Sequence, residues 1–353
     1  MGTLPKLEQA MSVLNLEDIA RMAGVSKSTV SRVVNNHPNV SDRTRTRVMR
    51  VIAEQQFRPN SAARALVTQH TRVLSVVIPQ PYGEAFADPF FLMILQSIAH
   101  TAAEQDYAFM LWIGGYEQHE ERFGERILSN AFFDGILIIS ADDKDPILNK
   151  LAGAGFPFVQ IGPPQFEGAN YVDVNNRRGA YEAGLHLASL GYRRIGLIAG
   201  PLDKGEARDR LIGCLDALAQ SGVSPLPEWI AEGNFDEQSG YRAMKRLLRH
   251  DLQAVFASND SMALGALRAL DEAGLRVPDQ IAMVGFDDMP FAATTKPPLT
   301  TIRQPIAEIG EEAVRMLISL VEGTSAGPCQ VVLPTHLVIR ESCGAGRVTG
   351  GGA

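Results

Sequence analysis

The spacing of hydrophobic residues changes near residue 73 and divides the chain into two parts. Before this point, apolar residues recur at the three- and four-residue intervals of a helix face. After it, short and nearly continuous apolar runs alternate with helical segments, as is typical of parallel strands buried on both faces. The sequence therefore predicts a small helical N-terminal part and a large α/β part.

The N-terminal part predicts three short helices. The first carries an apolar stripe made of Leu16, Ile19, Ala20 and Ala23. Gly24 can adopt the positive φ that ends a helix, and Ser26 is a good N-cap for a second helix, from residue 27 to about residue 35. Ser41 caps a third helix that ends near Gln55. Two helices joined by a tight glycine turn form a helix-turn-helix.

The second helix has a polar outer face that suits DNA. Val30, Val33 and Val34 point inward. The outward residues are Lys27, Ser28, Thr29, Ser31 and Arg32. Such a row of hydrogen-bond donors fits a major groove, although helix pairs of this kind also occur in proteins that do not bind DNA.

Charge favours the DNA-binding interpretation. The 353-residue chain has a net charge of −7, which taken alone argues against a nucleic-acid partner. Residues 1–72, however, contain 11 Lys and Arg against 5 Asp and Glu, a net charge of +6, so residues 73–353 carry −13. The basic segment contains the predicted helix-turn-helix, as expected for a DNA-binding domain.

A short helical stretch follows the third helix and has two possible roles. Pro59 ends the third helix, Asn60 can cap a new one, and residues 61–67 span about two turns. A helix of this length is unstable alone in water. The stretch is either a linker or a helix that folds on DNA, and Leu66 is accordingly a linker residue or a minor-groove wedge.

The α/β part predicts two lobes. One set of apolar runs covers residues 73–78, 108–112, 135–139 and 158–161, and a second set covers residues 194–199, 254–257 and 281–286. Each set, with its helices, predicts a doubly wound parallel sheet. Small molecules bind such sheets in the cleft at the carboxyl ends of the strands.

Polar and aromatic residues alternate near these strand ends. They include Asp88, Phe90, Arg210, Asn259 and Asp287. Carboxylate, amide and guanidinium groups bind neighbouring hydroxyls, and aromatic rings cover the apolar face of a sugar. Asp and Asn also cap helices, and Asp260 or Ser261 fits that structural role before Met262.

The segment from Leu16 to Asn35, LEDIARMAGVSKSTVSRVVN, resembles the lactose-repressor (LacI/GalR) family of bacterial transcription regulators. Residues 39–41, 44–45 and 58–66 of the N-terminal part and residues 259–265, 284–288 and 298–304 of the α/β part are similar to further motifs of that family. The resemblance therefore extends from Leu16 to Arg340.

The resemblance implies roles for individual residues of the DNA-binding part. Lys27, Ser28 and Arg32 are expected to read base edges, and Thr29, Ser31 and Asn35 to hold phosphates. Asn60, Ala63 and Leu66 are expected in a hinge helix, where Leu66 opens the central base step of a palindromic operator.

The resemblance also implies an effector site. Arg210, Asn259 and Asp287 are expected to contact the ligand, and Phe235 to stack on it. Asp88 and Phe90 are expected on the facing lobe, and Gln304 at a crossover between the lobes.

The expected fold is an N-terminal all-α helix-turn-helix headpiece followed by an α/β core of two doubly wound parallel-sheet subdomains, like a periplasmic binding protein. The headpiece covers residues 1–57, with 1–14 disordered, and the hinge covers 58–72. The core covers 73–340, with one lobe about 73–174 and 305–330, and the other about 175–304 and 331–340. Residues 341–353 are expected to be a disordered tail.

The expected function is that of a repressor that binds a palindromic operator on double-stranded DNA as a homodimer. Dimerisation is expected to use the lobe nearest the DNA, including the helix from residue 308 to about residue 321. A sugar-type effector in the cleft releases the operator. A corepressor such as a purine or a sugar phosphate, which strengthens DNA binding, is an alternative, and a stand-alone sugar-binding protein is a weaker one. The absence of a signal-like N-terminus and of a long apolar run predicts a cytoplasmic protein.

The sequence gives no support for an enzyme. It has no G-x-x-x-x-G-K-[S/T] loop and no G-x-G-x-x-G after the first strand, its seven histidines are scattered, and its three cysteines form no zinc motif. Asp287 and Asp288 could form an acid–base pair, but neighbours at a strand end usually point apart. We expect no catalysis, no metal and no cofactor.

Overall fold

The computed structural model describes residues 14–34, 37–57, 70–114, 132–140, 146–325 and 327–348. The chain divides into two compact units, Met1–Thr71 and Arg72–Ala353, which are called the headpiece and the core below. Four residues expected to contact DNA lie outside the described residues, namely Asn35, Asn60, Ala63 and Leu66. The expectations for residues 1–13, 58–69 and 349–353 lie outside them as well.

Three helices of the headpiece agree closely with the sequence pattern. They are α1 (Leu16–Ala23), α2 (Lys27–Val34) and α3 (Asp42–Glu54). Asn15 caps α1, and Gly24 ends it with a φ of 60°, a conformation that strains any residue with a side chain. Ile19, Val30 and Val48 are fully buried and join the three helices in one small core.

The core consists of two lobes, each with a six-stranded sheet. Lobe 1 contains β1 (Val73–Ile78), β2 (Ala108–Ile113), β3 (Gly135–Ile139), β4 (Phe158–Ile161), β5 (Tyr171–Val174) and β11 (Gln330–Leu333) in the order β11-β5-β4-β3-β1-β2. Lobe 2 contains β6 (Ile195–Ala199), β7 (Ile230–Glu232), β8 (Ala254–Ala257), β9 (Ala282–Asp287), β10 (Thr300–Arg303) and β12 (His336–Val338) in the order β12-β10-β9-β8-β6-β7.

Helices cover both faces of these sheets. In the described part of the core they are α4 (Tyr82–Ala87), α5 (Pro89–Glu104), α6 (Pro146–Ala154), α7 (Asn176–Ser189), α8 (Gly205–Gln220), α9 (Glu237–Leu247), α10 (Asp260–Glu272), α11 (Ile306–Val321) and α12 (Ala345–Val348). Val76 and Val77 of β1 belong to apolar clusters on opposite faces, and so do Val255 and Phe256 of β8. Burial on both faces explains the continuous apolar runs.

The pairing is parallel within lobe 1 and for all but one pair of the described strands in lobe 2. The exception is β12, which runs antiparallel to β10 at the edge of its sheet. The predicted doubly wound architecture is confirmed, with this one antiparallel strand added.

The chain passes between the lobes three times. It leaves lobe 1 between β5 and α7, returns through Gln304 and Pro305, and leaves again through Pro334 and Thr335. The sequence places the last crossing after residue 330, which is wrong. Residues 330–333 form β11, which pairs in parallel with β5 and completes the sheet of lobe 1.

The segment after Arg340 corrects a second expectation, that of a disordered tail from residue 341. Ser342 and Cys343 are fully buried. Ser342 Oγ donates to Met283 O at 2.7 Å and accepts from Thr300 N at 2.8 Å. Ser342 therefore joins β9 and β10, and the short helix α12 follows it.

Candidate functional site

The outer face of α2 carries the five described residues that the sequence assigns to DNA contacts. Lys27, Ser28 and Arg32 are exposed, and Thr29 and Ser31 are half-buried. Ser26 Oγ lies 2.8 Å from Ser28 Oγ and 2.8 Å from Thr29 Oγ1. Because the opposite face of α2 is packed in the headpiece core, these polar groups are presented together on one side of a fixed helix.

Lys27 has an ionic partner within the headpiece. Its Nζ lies 2.8 Å from Oε1 of Glu17 on α1, and both side chains are well exposed. Surface pairs of this kind contribute about 0–1 kcal/mol, so DNA can displace Glu17 at little cost.

A cavity lies between the two lobes of the core, where the carboxyl ends of their strands meet. It offers about 70 Å³ to the centres of water-sized molecules. The seven residues assigned to the effector from the sequence all line it: Asp88, Phe90, Arg210, Phe235, Asn259, Asp287 and Gln304. The fold thus brings together residues that are more than 200 positions apart in the chain.

Arg210 is the buried centre of this cavity wall. It projects from α8, and its Nε donates to Asn176 Oδ1 at 2.8 Å, while Nη1 donates to Ser258 O at 2.8 Å. Nη1 also lies 3.3 Å from Asp287 Oδ1. The guanidinium carbon lies 3.9 Å from the centre of the Phe286 ring. These contacts fix the guanidinium in place.

Asp287 ends β9 and faces Arg210. Gln304 Nε2 donates to its Oδ1 at 2.5 Å, so the crossover residue and the strand end are joined. The φ of Asp287 is 116°, a strained conformation for a residue with a side chain. Burial raises the pKa of Asp287 to about 7, although Arg210 acts in the opposite direction.

Asp288 has a different role from its neighbour. Its two carboxylate oxygens accept hydrogen bonds from Arg303 Nε at 2.6 Å and from Arg340 Nη2 at 2.7 Å. The carboxylate is thus engaged outside the cavity, and the two neighbouring aspartates point apart as the sequence predicts.

The cap of α10 lies one residue earlier than the sequence suggests. Asn259, not Asp260 or Ser261, is the N-cap, and its Oδ1 accepts from Met262 N at 2.8 Å. Its Nδ2 donates to Phe235 O at 2.8 Å. Asn259 therefore combines a structural role with a position on the cavity wall.

Asp260 is buried in the structure rather than capping the helix. Its oxygens accept from Thr301 Oγ1 at 2.6 Å and from Met289 N at 2.8 Å. Burial raises the pKa of Asp260 well above its ordinary value, and the nearby Asp287 raises it further. Asp260 is a structural link between α10 and β10.

Several cavity residues have no counterpart in the sequence-derived set. Asp173 lies on β5, Glu206 lies in the first turn of α8, and Ser140 directly follows β3. Burial raises the pKa of Asp173 to about 7 and that of Asp88 to about 6. A sequence pattern that identified β5 as a strand would also have marked Asp173, near its carboxyl end, as a candidate cavity residue. Glu206 is a comparable acidic residue at the start of α8.

Aromatic rings and strained backbone complete the wall. Phe90 and Phe91 pack edge to face with centres 5.6 Å apart, on the side of lobe 1. Phe235 of lobe 2 has a φ of 59° and Ser140 of lobe 1 a φ of 53°. Backbone strain of this kind is often concentrated at ligand sites.

The described residues contain neither a candidate metal site nor a candidate membrane span. No group of three or more His, Cys, Asp or Glu in the described residues has the geometry to hold a metal ion. Within the same residues, no helix is long and apolar enough to cross a membrane.

A helix-turn-helix headpiece joined to a two-lobed core with a ligand-sized cavity defines the class of DNA-binding regulators that respond to small molecules. Residues 15–60 match the bacterial regulatory proteins of the lacI family, and residues 185–343 match the periplasmic binding protein-like domain. The chain belongs to the lacI family and is a DNA-binding transcriptional regulator.

Relatives and solved structures agree with this assignment. The HTH-type transcriptional regulator CelR of Thermobifida fusca is 39% identical over 332 residues, covering 93% of this chain and 97% of CelR. The HTH-type transcriptional repressor PurR of Klebsiella pneumoniae (strain 342) is 32% identical over 336 residues, covering 94% and 97%.

Two solved structures are similar along almost the whole chain. A lac repressor dimer bound to operator and the anti-inducer ONPF has a TM-score of 0.83 at 30% identity, covering 94% of this chain and 99% of that chain. A CelR–cellobiose complex has a TM-score of 0.74 at 36% identity, covering 93% and 99%. The predicted family and fold class are therefore confirmed.

Proposed function

We propose that the chain is a repressor that binds a palindromic operator as a homodimer in the cytoplasm, and that a sugar-type effector bound between the lobes releases it. The observation that carries this proposal is the cavity wall, on which carboxylates, an amide, a guanidinium and phenylalanine rings from both lobes face one space. Polar groups that bind hydroxyls beside rings that cover an apolar face suit a sugar. The similarity to CelR, solved with cellobiose, supports the same ligand class.

Contacts to DNA are assigned to α2 and to the hinge. Lys27, Ser28 and Arg32 would read base edges, while Thr29 and Ser31 would hold phosphates. The similarity to a lac repressor dimer solved on its operator supports this arrangement. Asn35, Asn60, Ala63 and Leu66 complete the proposed contacts, with Leu66 as a wedge at the centre of the palindrome.

The effector would act through the angle between the lobes. Asp88 and Phe90 lie on lobe 1, whereas Arg210 and Asp287 lie on lobe 2. A ligand that contacts all four residues therefore binds tightly only to conformations in which the angle between the lobes brings them together. A coupling free energy of about 1–3 kcal/mol would change operator affinity by a factor of about 5–150.

Operator binding with and without candidate ligands tests the proposal. Fluorescence anisotropy of the full-length chain on palindromic duplexes, with sugars, sugar phosphates and purines added in turn, should reveal a sugar that weakens binding. Arg210→Ala and Asp287→Ala should abolish that response. A ligand that strengthens operator binding would instead establish the corepressor alternative.

The proposed wedge has its own test. Leu66→Ala should reduce both operator affinity and the bend angle of the bound duplex, because the wedge unstacks the central base step. Unchanged affinity and bend angle would remove this role from Leu66.

A further inference from the structure

The charged groups of the interlobe cavity are unevenly balanced. Among the described residues, its lining contains four carboxyl groups and a single cation, Arg210. The carboxyl groups are those of Asp88 and Asp173 in lobe 1 and of Glu206 and Asp287 in lobe 2. Both walls are therefore acidic.

Arg210, the single cation of the described lining, already has an ionic partner. Arg210 forms its ion pair with Asp287, and both side chains are almost completely buried. None of the other three carboxyl groups forms an ion pair with a described residue. An anionic ligand would have to compete with Asp287 for the guanidinium group of Arg210. This competition takes place in a site of low dielectric, where Coulomb interactions are strong.

Burial makes negative charge in the cavity unfavourable. It is the largest cause that raises the pKa values of Asp88 and Asp173; Asp236 adds to it at Asp88, and Glu206 and Asp209 add to it at Asp173, while backbone hydrogen bonds and Arg210 act in the opposite direction at both. These shifts mean that the cavity already disfavours the negative charges it holds. Burial and the neighbouring carboxylates would therefore also disfavour the negative charge of an anionic ligand.

Neutral donors satisfy the three carboxyl groups only in part. Asp88 accepts from Phe90 N at 3.0 Å, and Asp173 accepts from Asn176 Nδ2 at 3.0 Å. Since a carboxylate offers about four acceptor positions, both retain capacity for a ligand hydrogen.

Glu206 extends this acceptor surface across the cleft. Ser140 Oγ of lobe 1 donates to Oε1 of Glu206 in lobe 2 at 2.5 Å. Lys204 Nζ donates to Ser140 O at 3.4 Å, so a second buried cation lies near this end of the cavity. The second oxygen of Glu206 is thus available to a ligand that reaches this end of the cavity.

We propose that the cavity selects against anionic ligands and takes an effector that donates hydroxyl or amino hydrogens to Asp88, Asp173 and Glu206. Asp173 of lobe 1 and Glu206 of lobe 2 lie on opposite walls of the cavity outside the Arg210–Asp287 pair, and we assign this selectivity to them. The inference rests on the proposed function, since it treats the cavity as the effector site. It narrows the ligand class by excluding sugar phosphates and sugar acids.

Matched ligands bound to the full-length chain test the selectivity. Isothermal titration calorimetry would compare glucose with glucose 6-phosphate, gluconate and glucosamine, ribose with ribose 5-phosphate, and cellobiose with cellobionate. Each anion should bind at least about tenfold more weakly than its neutral parent, which corresponds to about 1.4 kcal/mol. Tighter binding of glucosamine than of glucose would identify an amine as the preferred donor.

Two variants assign the selectivity to residues. Asp173→Asn and Glu206→Gln keep the size of the side chain and remove its ionisable carboxyl group. At a pH above the pKa of Asp173, which burial raises to about 7, each should reduce the ratio between neutral and anionic affinities about threefold or more. Glu228→Gln removes the same charge from an exposed position outside the cavity and should leave the ratio unchanged. Unfolding midpoints of all variants establish that they are folded.

The outcomes separate this inference from the proposed function. An anion that binds as tightly as its neutral parent overturns the selectivity, and if that anion also releases the operator, the proposed function still stands. A neutral sugar that binds with the expected selectivity but leaves operator affinity unchanged upholds the inference and contradicts the proposed function.

Discussion

Arg210 and Asp287 form an ion pair between side chains that are only 6% and 5% exposed. The two residues come from α8 and from the end of β9, and the pair joins these elements at the cavity wall. Both members have neutral hydrogen-bond partners as well, Asn176 for Arg210 and Gln304 for Asp287. Their charges therefore depend on each other, because water has little access to either.

Replacing Arg210 by Met should destabilise the core. The substitution leaves Asp287 as a buried carboxyl without its cation, and breaking a buried pair in this way costs about 3–5 kcal/mol. Arg177→Met is the control, because Arg177 pairs with Asp216 on the surface, where a pair is worth about 0–1 kcal/mol. Urea unfolding of the full-length chain measures both free energies. Equal losses in the two variants would contradict the structural importance of the buried pair.

The stability of the ligand-free core should fall as pH rises from about 4 to about 7. Burial raises the pKa of Asp88 to about 6 and the pKa values of Asp173 and Asp287 to about 7, whereas aspartates of an unfolded chain titrate near 4. The native core then binds more protons than the unfolded chain across this interval, so each deprotonation favours unfolding. Urea midpoints at about pH 5 should exceed those at about pH 7.5.

A variant assigns part of this pH dependence to one carboxyl group. Asp173→Asn cannot ionise, so the loss of stability between the two pH values should shrink by about 1 kcal/mol or more. Asp271→Asn, at an exposed position of α10, should leave the pH dependence unchanged. A core whose stability rises with pH would show that these carboxyl groups are not buried as described.

Except for the edge strand β2, the strands that the sequence predicts are buried on both faces. β1, β3, β4 and β8 have the predicted bounds because their residues are continuously apolar. β5 and β10 escape prediction, since Asp173 interrupts one and Thr300 and Thr301 begin the other. These polar side chains are accommodated by partners far along the chain, such as Asp260 for Thr301, which no local pattern can indicate.

The cavity was predictable only where a family resemblance or a recognised strand end marked a residue. Arg210 and Asp287 carry such marks, and the structure places both on the wall. Asp173 and Glu206 do not, because their proximity depends on the meeting of two lobes. The cap of α10 shows the opposite difficulty, since Asn259, Asp260 and Ser261 are all suitable capping residues and only tertiary contacts distinguish them.

Removing the ionic partner of Lys27 should strengthen operator binding. Glu17→Gln frees the ammonium group for DNA, and the loss of an exposed pair worth about 0–1 kcal/mol corresponds to a gain of up to about fivefold in affinity. Glu54→Gln removes the same charge from a pair with Arg50 on α3 and serves as control. An equal gain in both variants would mean that the effect reflects headpiece charge in general rather than Lys27.

The opposite charges of the two parts should be visible in the salt dependence of non-specific DNA binding. Residues 1–72 carry +6 and residues 73–353 carry −13, so the core opposes the approach of phosphates that the headpiece attracts. Between about 50 and about 200 mM salt, log K should fall more steeply with log salt, per headpiece, for the 1–72 fragment than for the full-length chain. Anisotropy titrations on a non-operator duplex measure both slopes. Equal slopes would show that the charge of the core does not affect DNA binding. The affinities of the fragment and of the full-length chain should converge at high salt, because salt screens the repulsion between the core and the phosphates.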